Sequence, residues 1–334
     1  MTSTEGARVQ AVVMRQYGGP DVLGLEEYPE PAVPGGWVAV DLHASGLNWH
    51  DTLVRRGNYK SPLPHVPGAE GAGVRRDTGE KVIILPTKFW GGRDAAPEPG
   101  WEIVGDRCQG TYAERIAVPA ECVMPWPAGL GLAEAAVFSL VGVTVYRGLF
   151  SRGRLAAGES LLVLGAGGGV ATTAVSLASA AGARVVVTSS SPAKIDAACG
   201  LGAAAGVDHT APDWVEQARA LTPGGRGFDL VLDSVGRWGE TIRCLRPGGR
   251  CVVLGASAAE QAELPIRPFY FGQYELIGTT LGSPADMAGL LSFIQGHRVA
   301  PAVIDASFGL GDAAAAHERL EAGTGFGRIV LLHS

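Results

Sequence analysis

The sequence predicts an α/β protein of two domains, one β-rich and one built on a doubly wound parallel sheet. The first observation is its length of 334 residues, which exceeds what a single hydrophobic core normally supports. The second is a change of pattern near residue 136. Short strand-like segments broken by Gly and Pro there give way to apolar runs that alternate with Ala-rich helical segments.

The β-rich part contains short apolar segments bounded by Gly, Pro and Asp, which are typical of strands. The predicted strands are Val9–Met14, Trp37–His43, Lys81–Leu85 and Gly110–Val118. Residues 86–110 include Trp90 and Trp101 and predict a structured loop, because linkers rarely contain two tryptophans. These tryptophans either pin the loop, which is the preferred interpretation, or line a flat substrate site.

The second part alternates strands and helices in the way that builds a parallel sheet. The predicted strands are Ser160–Gly165, Ala183–Thr188, Phe228–Asp233, Arg250–Gly255 and Glu275–Leu281. The predicted helices are Gly169–Ala181, Ala193–Cys199, Asp213–Leu221 and Trp238–Leu245. The sequence therefore predicts a first domain at residues 1–135 and a second domain at residues 136–276. Residues 277–334 are expected to return to the first domain through a helix at Asp312–Ala322 and a strand at Arg328–Leu332.

Composition excludes several classes of protein. The formal net charge is −6 and charged residues make up 18%, so the basic face that nucleic acids require is not expected. The sequence has no run of about 18 apolar residues and no apolar signal core near the N-terminus. We therefore expect a cytoplasmic protein without a membrane span. The five cysteines are scattered and never form a Cys-x-x-Cys pair, which argues against disulfides and a structural zinc site.

A glycine-rich loop follows the first strand of the predicted parallel sheet and precedes a helix. The loop consists of Gly165, Ala166, Gly167, Gly168, Gly169 and Val170. Glycines at such a turn let the backbone approach a pyrophosphate, and the helix N-terminus supplies N–H donors. This position within a βαβ unit predicts a dinucleotide site, and the alternative is a purely structural turn.

The end of the second predicted strand indicates which dinucleotide binds. An NAD enzyme usually has a carboxylate there, and this chain instead has Ser189, Ser190 and, further on, Lys194. Hydroxyls can donate to a 2′-phosphate and a lysine can neutralise it, so NADPH is the expected cofactor. The serines also suit a helix cap, since Ser191 precedes Pro192, and both roles are compatible.

A series of motifs runs along nearly the whole chain. They are Tyr17-Gly18-Gly19-Pro20, Gly46-Leu47-Asn48-Trp49-His50-Asp51, Pro67-Gly68-Ala69-Glu70-Gly71, Gly110-Thr111-Tyr112-Ala113-Glu114, Gly142-Val143-Thr144, Asp233-Ser234-Val235-Gly236 and Gly278-Thr279-Thr280-Leu281-Gly282. In this order they resemble the medium-chain dehydrogenase/reductase superfamily, and its quinone oxidoreductase branch most closely. The resemblance implies a GroES-like catalytic domain beside a Rossmann domain, with the active site in the cleft between them. It also implies a homodimer that pairs through Glu275–Leu281.

The resembling superfamily has zinc-dependent and zinc-free branches. The zinc branch has a Cys where this chain has Asn48 and a His where it has Ala69, and neither replacement can ligate zinc. We therefore expect no metal. His50 and His65 are interpreted as ordinary pocket or surface histidines with a small possible part in proton transfer. Asp51 and Glu70 are expected to be structural and to pair with an arginine such as Arg55 or Arg56.

Without a metal to stabilise an alkoxide, a conjugated acceptor is the easier substrate. The expected reaction is hydride transfer from NADPH to a small molecule, either a quinone or an α,β-unsaturated carbonyl. The resemblance places Asn48 and Thr144 at the nicotinamide, and Ser234 ends a strand at the ligand-binding edge of the sheet. Tyr59 matches the proposed proton donor of related enoyl reductases, and it is equally well interpreted as a packed aromatic.

Two further functions remain open. The chain could be a tailoring reductase or cyclase of a specialised biosynthetic pathway with a bulky substrate, for which the tryptophan-bearing loop is the only indication. It could instead be a sensor or structural protein that binds NADPH with little turnover. Nucleotide affinity without substrate-dependent oxidation would identify the latter.

Overall fold

The computed structural model describes residues 7–297, 299 and 302–333. The chain forms two compact units, Met1–Leu140 with Ile304–Ser334 and Val141–Val303. Within the described residues, no helix has the length and apolar character needed to cross a membrane.

The strands of the first unit are β1 (Arg8–Met14), β2 (Leu23–Pro29), β3 (Trp37–Leu47), β4 (Glu70–Arg75), β5 (Lys81–Ile84), β6 (Thr87–Lys88), β7 (Glu102–Ile103), β8 (Arg115–Pro119) and β9 (Val123–Pro125). The strands of the second unit are β10 (Ser160–Val163), β11 (Arg184–Thr188), β12 (Ala205–Val207), β13 (Phe228–Asp233), β14 (Leu245–Val253) and β15 (Glu275–Gly278). The chain then returns to the first unit with β16 (Ile304–Gly309) and β17 (Arg328–Leu332).

The helices are α1 (Trp49–Arg56), α2 (Leu132–Val137), α3 (Ser139–Tyr146), α4 (Gly169–Ala180), α5 (Pro192–Leu201), α6 (Trp214–Ala220), α7 (Trp238–Cys244), α8 (Ile266–Phe271), α9 (Pro284–His297) and α10 (Ala313–Ala322). A π-helical segment, Arg147–Arg152, follows α3.

The first unit is organised by a sheet with the order β16-β17-β3-β4-β5-β9, and β8 also pairs with β3. Strand β3 is the longest of the described strands. Its second half is buried where β4 and β17 pair with it, and β8 pairs with its first half. The register between β17 and β3 sets Ile329 opposite Leu47 and Val330 opposite Gly46. The C-terminal strand therefore lies beside the segment that leads into α1.

The loop between β5 and β8 is ordered around Trp90. This side chain is buried, its Nε1 donates to the carbonyl of Arg93 at 3.0 Å, and its ring meets Trp101 edge-on with centroids 6.2 Å apart. Trp90 thus pins the loop, as the preferred interpretation of the sequence has it, and it is not exposed as the wall of a substrate site.

The second unit is a parallel sheet with the order β12-β11-β10-β13-β14-β15. Counted from β10, this order is the 3-2-1-4-5-6 arrangement of a doubly wound nucleotide-binding fold. The direction of winding reverses between β10 and β13, and ligands of such sheets bind at the carboxyl ends of the strands beside this point. The glycine-rich loop after β10 and the Ser234 loop after β13 lie at that edge.

The structure differs from the predicted domain limits at the C-terminal side. The return to the first unit was expected at residue 277, and the compact units place it at Ile304. Strand β15 pairs in parallel with β14, and α9 follows it within the second unit. The pairing of β15 agrees with its prediction as a strand of the parallel sheet. The boundary moves because α9 also belongs to the second unit, and the apolar pattern of this helix is compatible with either domain.

Candidate active site

Asn48 lies at the junction between β3 and α1. Its backbone is extended, with φ −122° and ψ 154°, and its N–H donates to Asp51 Oδ2 at 2.8 Å, which caps the first turn of α1. The side chain is only 2% exposed, so the surrounding protein determines what its amide contacts. Helix α1 therefore begins at a buried, hydrogen-bonded Asn48.

The Glu70 carboxylate is the centre of a buried hydrogen-bond cluster at the start of β4. Its Oε1 accepts from Asn48 Nδ2 at 2.9 Å and from Nη2 of Arg328. Its Oε2 accepts from Ser139 Oγ at 3.1 Å and from the backbone N–H of Leu140 at 2.7 Å. Four donors from three segments satisfy this carboxylate, which is how a buried charge is tolerated.

Arg328 completes the same cluster from β17. Besides Glu70, its Nη2 donates to Asn48 Oδ1 at 2.9 Å, and its Nε donates to the carbonyl of Val137 at 3.1 Å. Gly46 is required for this packing, since a Cβ there would stand 2.6 Å from Glu70 Oε1 and 2.8 Å from the carbonyl of Ala136. Backbone spacing and charge thus bring together residues from both ends of the chain.

Asp51 lies beneath this cluster and is fully buried. Its Oδ2 accepts from the Tyr112 hydroxyl at 3.0 Å as well as from the Asn48 N–H, and its Oδ1 has no hydrogen-bond partner. Burial raises the pKa of Asp51 to about 7, against the opposing effect of its two donors. Burial and the neighbouring Asp51 also raise the pKa of Tyr112 well above its usual value.

The two arginines expected beside Asp51 and Glu70 have a different partner. Arg55 and Arg56 both form ion pairs with Glu321 of α10. The expectation of an arginine partner was correct for Glu70, but that arginine is Arg328. Arg55 and Arg56 are in the last turn of α1, beyond the start of the helix where Glu70 and Asp51 lie.

Tyr59 follows α1 and is 43% exposed. Its ring packs at a tilt against His50, with centroids 4.9 Å apart. Burial lowers the pKa of His50 to about 4, so this imidazole is neutral near pH 7, and its Nε2 is buried without a partner. His65 is instead a buried structural residue whose ring hydrogen-bonds the carbonyl of Gly105 at 3.0 Å, so it is neither a pocket nor a surface histidine.

In the second unit, the predicted cofactor loop makes the sharp turn that such a site requires. Gly165 has φ +95°, in the region that favours glycine, and its N–H donates to Thr188 Oγ1 at 2.9 Å. A Cβ at Gly165 or Gly168 would meet nothing within 4 Å, so a ligand can approach the backbone there. Gly168 precedes α4 with no side-chain cap, and the N-terminus of α4 can therefore receive an anion. These features fit a dinucleotide.

The serines after β11 divide between structural and candidate binding roles. Ser189 is buried and its Oγ accepts from the N–H of Ser191, which in turn caps α5 by accepting from the N–H of Lys194. Ser190 is exposed and Lys194 is partly exposed on the first turn of α5. The capping role of Ser191 is therefore confirmed, and it leaves Ser190 and the Lys194 side chain as the accessible candidates for a phosphate.

The remaining predicted residues lie at separate places in the second unit. Ser234 follows β13 and is partly exposed, while Asp233 is buried and accepts from the N–H groups of Val235 and Gly236, so it supports the loop. Thr144 lies in α3 and is nearly buried. The structure places Asn48 with Glu70, and Tyr59 with His50, in the first unit, and the cofactor residues at one sheet edge in the second.

The cluster around Asn48 does not fit a zinc site. Both polar ends of the Asn48 amide are bonded to Glu70 and Arg328, and Ala69 carries no ligand atom. Among the described residues, no group of three or more His, Cys, Asp or Glu side chains is arranged to hold a metal ion. No chemical step is therefore assigned to a metal here.

Sequence reasoning missed Arg328, Ser139, Tyr112 and Thr188. Tyr112 and Thr188, the last residue of β11, lay inside segments singled out in the sequence, but their hydrogen-bond partners Asp51 and Gly165 belong to other elements. Arg328 carried a weak signal, because it is a charged residue at the start of an otherwise apolar strand. That pattern marks a buried cation, although it does not name the partner.

Comparison with known proteins agrees with this architecture. Residues 34–128 match the alcohol dehydrogenase GroES-like domain, and residues 169–296 match the zinc-binding dehydrogenase family. A quinone oxidoreductase of Pseudomonas aeruginosa is 33% identical over 333 residues, covering 95% of this chain and 97% of that protein. A zinc-type alcohol dehydrogenase-like protein of Schizosaccharomyces pombe is 34% identical over 240 residues, covering 67% and 69%.

A crystal structure described as an NAD-dependent alcohol dehydrogenase superposes with a TM-score of 0.91 at 34% identity, covering 97% of this chain and 99% of that one. The fold and these relatives define an oxidoreductase with a GroES-like domain and a Rossmann domain. The chain belongs to the medium-chain dehydrogenase/reductase superfamily.

The raised pKa of Asp51 predicts that the stability of the fold decreases as the pH rises toward 7. Because its pKa is raised to about 7 from an ordinary value near 3.8, its contribution to stability is fully present below about pH 4 and is lost as the pH rises through 7. Asp51→Asn imitates the protonated carboxyl. We expect the free energy of unfolding of the wild type to fall, relative to this variant, by about 4 kcal/mol between pH 4 and pH 8.

The measurement is urea unfolding followed by circular dichroism at several pH values for both proteins. Burial lowers the pKa of His50, His317 and His333 to about 4, 3 and 4, so these residues destabilise the fold as the pH falls below about 6.5. Because both proteins contain them, the difference between the two curves isolates Asp51. A difference that stays constant with pH would show that Asp51 titrates like an ordinary carboxylate.

Proposed function

We propose that this oxidoreductase is zinc-independent and NADPH-dependent, and that it reduces a quinone or an α,β-unsaturated carbonyl. The observation that carries the proposal is the buried Asn48–Glu70–Arg328 cluster, which offers hydrogen-bond donors where the zinc branch of the family has metal ligands. The similarity to a quinone oxidoreductase over nearly the full length supports the same reaction class.

The chemistry of this cluster suits a conjugated acceptor. A nicotinamide cofactor supplies the hydride when bound, and the negative charge that develops on the acceptor moves to an oxygen. A preorganised amide N–H of Asn48 can stabilise that oxygen without a metal, because charge spread over an enolate or a quinol needs less stabilisation than an alkoxide. Thr144 is the second candidate for holding the carboxamide or the substrate oxygen.

The preference for NADPH rests on the second unit. No carboxylate stands at the end of β11, and exposed Ser190 and partly exposed Lys194 provide a hydroxyl and a cation suited to a 2′-phosphate. The structural relative described as NAD-dependent supports the competing proposal, in which the cofactor is NADH. The tailoring-reductase alternative has lost part of its indication, since Trp90 is buried and pins its loop, and only Trp101 is partly exposed.

The test is NADPH oxidation by chelator-treated, desalted protein with 9,10-phenanthrenequinone, 1,4-benzoquinone and a set of enals and enones, and with NADH in parallel. We expect turnover to survive metal removal. We expect kcat/KM with NADPH to exceed that with NADH by at least about tenfold, the contribution of one charge-assisted hydrogen bond.

Ser190→Asp is the matched control for cofactor preference. A carboxylate there should repel the 2′-phosphate and accept from a ribose hydroxyl, so it should lower kcat/KM for NADPH by about tenfold or more and leave NADH unharmed. Activity that disappears on chelation and returns with zinc would contradict the proposal. Tight NADPH binding without oxidation of any acceptor would favour the sensor or structural role instead.

Tyr59 is the candidate proton donor of the reaction. If its hydroxyl protonates the acceptor, Tyr59→Phe should lower kcat by about 100-fold or more and change the pH profile, while NADPH binding stays the same. Tyr28→Phe is a suitable control, because the Tyr28 hydroxyl contacts only Gln109 within the described residues. Unchanged turnover and pH profile in Tyr59→Phe would assign the proton to water.

We also propose a homodimer formed along the free edge of the parallel sheet. Strand β15 is the last strand of its sheet in the described residues, and the nearby α8 exposes Ile266 by 77% and Phe271 by 75%. Open strand edges and large exposed apolar side chains are features that oligomer contacts cover.

Light scattering coupled to gel filtration tests this assembly. We expect twice the mass of the chain for the wild type and a smaller mass for Phe271→Glu, because the introduced charge cannot be buried in an apolar contact. Leu25→Glu is a matched control, since it places a charge on an exposed leucine of the first unit. A wild type at the mass of one chain would rule out the dimer.

A further inference from the structure

The Asn48 amide lies between two groups of opposite hydrogen-bonding character. Its Oδ1 accepts from Arg328 at 2.9 Å, and its Nδ2 donates to Glu70 at 2.9 Å. A guanidinium can only donate and a carboxylate can only accept. The reversed amide would set N–H against N–H at Arg328 and oxygen against oxygen at Glu70. The surrounding charges therefore permit one orientation of this side chain.

This orientation leaves a particular group of Asn48 available. The amide nitrogen has two hydrogens, and Glu70 receives one of them. In the described part of the chain the second N–H has no protein partner. The available donor at this position is therefore an N–H whose direction the cluster determines, and an oxyanion is the ligand that such a donor stabilises.

The hydrogen bonds of Arg328 fix its guanidinium, so the guanidinium cannot move with the Asn48 amide if that amide rotates. Its Nη2 serves both Asn48 and Glu70, its Nε donates to the carbonyl of Val137, and its side chain is almost fully buried. The other oxygen of Glu70 is bonded to Ser139 and to the N–H of Leu140. The planar guanidinium of Arg328 reaches the Val137 carbonyl, Asn48 Oδ1 and Glu70 Oε1 from two separate nitrogens, whereas the N–H donors of a lysine ammonium all start from one nitrogen.

We propose that Arg328 is a positioning residue for the reduction, which acts through Asn48 by holding the amide with its free N–H toward the oxygen of the acceptor. This inference rests on the proposed function, because the free N–H matters only if an acceptor oxygen gains charge there. Arg328 touches neither acceptor nor cofactor in this role. Its loss should therefore impair catalysis only as long as Asn48 is present.

The test is a double-mutant cycle with Arg328→Lys, Asn48→Ala and the combined variant, assayed with NADPH and 9,10-phenanthrenequinone. We expect Arg328→Lys to lower kcat by about 100-fold, the effect of a small misplacement of a catalytic group, with KM for NADPH within about twofold of the wild type. In the Asn48→Ala background, Arg328→Lys should lower kcat by less than about twofold more.

Arg250→Lys controls for the general effect of replacing a largely buried, ion-paired arginine. Arg250 lies on β14 in the second unit and pairs with Glu159 at 2.6 Å, away from both the glycine-rich loop and Asn48 in the chain. We expect its kcat to equal that of the wild type. A purely structural role of Arg328 would instead produce the same fold-loss with and without Asn48, and that result would overturn the inference.

Should Arg328→Lys fail to fold by circular dichroism, Asn48→Asp tests the free N–H on which the inference depends. It keeps an acceptor oxygen toward Arg328, removes the free N–H and sets an oxygen against Glu70, so kcat should fall about 100-fold, and retention of wild-type kcat would overturn the inference. Wild-type protein without turnover on any acceptor would overturn the proposed function, and this inference with it. Turnover with equal losses in both backgrounds would overturn this inference alone.

Discussion

The buried carboxylate of Glu70 is the interaction on which the organisation of the first unit depends. Strand pairing sets the start of β4 and the start of β17 beside the end of β3, and the carboxylate joins these strands to the first turn of α3. Removing a carboxylate and a guanidinium from water is costly, and a buried ion pair of this kind often adds little net stability. Its contribution is to specify position, because each of its hydrogen bonds has one acceptable direction.

In the second unit, a single hydrogen bond organises the glycine-rich loop after β10. A pyrophosphate needs close backbone approach, which Gly165 would allow, since it has a positive φ and donates its own N–H to Thr188. This bond ties the loop after β10 to the end of β11, where Ser190 and Lys194 stand. The turn proposed for the phosphates and the segment proposed to distinguish the cofactors are therefore one hydrogen-bonded structure.

Elements determined by local pattern were predictable, and those determined by distant partners were not. Strands β10, β11 and β13 and helix α4 have continuous apolar or Ala-rich character, and their existence was confirmed with shifts of one or two residues at their ends. Helix α1 was missed because it is short and largely polar, and its start depends on the bond from Asn48 to Asp51.

The candidate site shows the same limit. Asn48 could be singled out because its motif is recognisable, but its partner Arg328 is 280 positions away and nothing local connects them. The raised pKa of Asp51 likewise depends on burial by the whole unit rather than on its neighbours in sequence. Residue types near a site are readable from sequence, whereas the pairing of buried charges requires the three-dimensional fold.

The positions of the cysteines allow covalent labelling of the second unit. All five cysteines lie in the described part of the chain and are free, and Cys199 is the exposed one. It belongs to α5, the helix that Ser191 caps beside the candidate phosphate site. Cys244 and Cys251 in the same unit are buried, and burial raises their thiol pKa values, which makes them poor nucleophiles. With the partly buried Cys108 of the first unit replaced by serine, a maleimide fluorophore would therefore attach to the second unit at Cys199 and report on nucleotide occupancy without an assay of turnover.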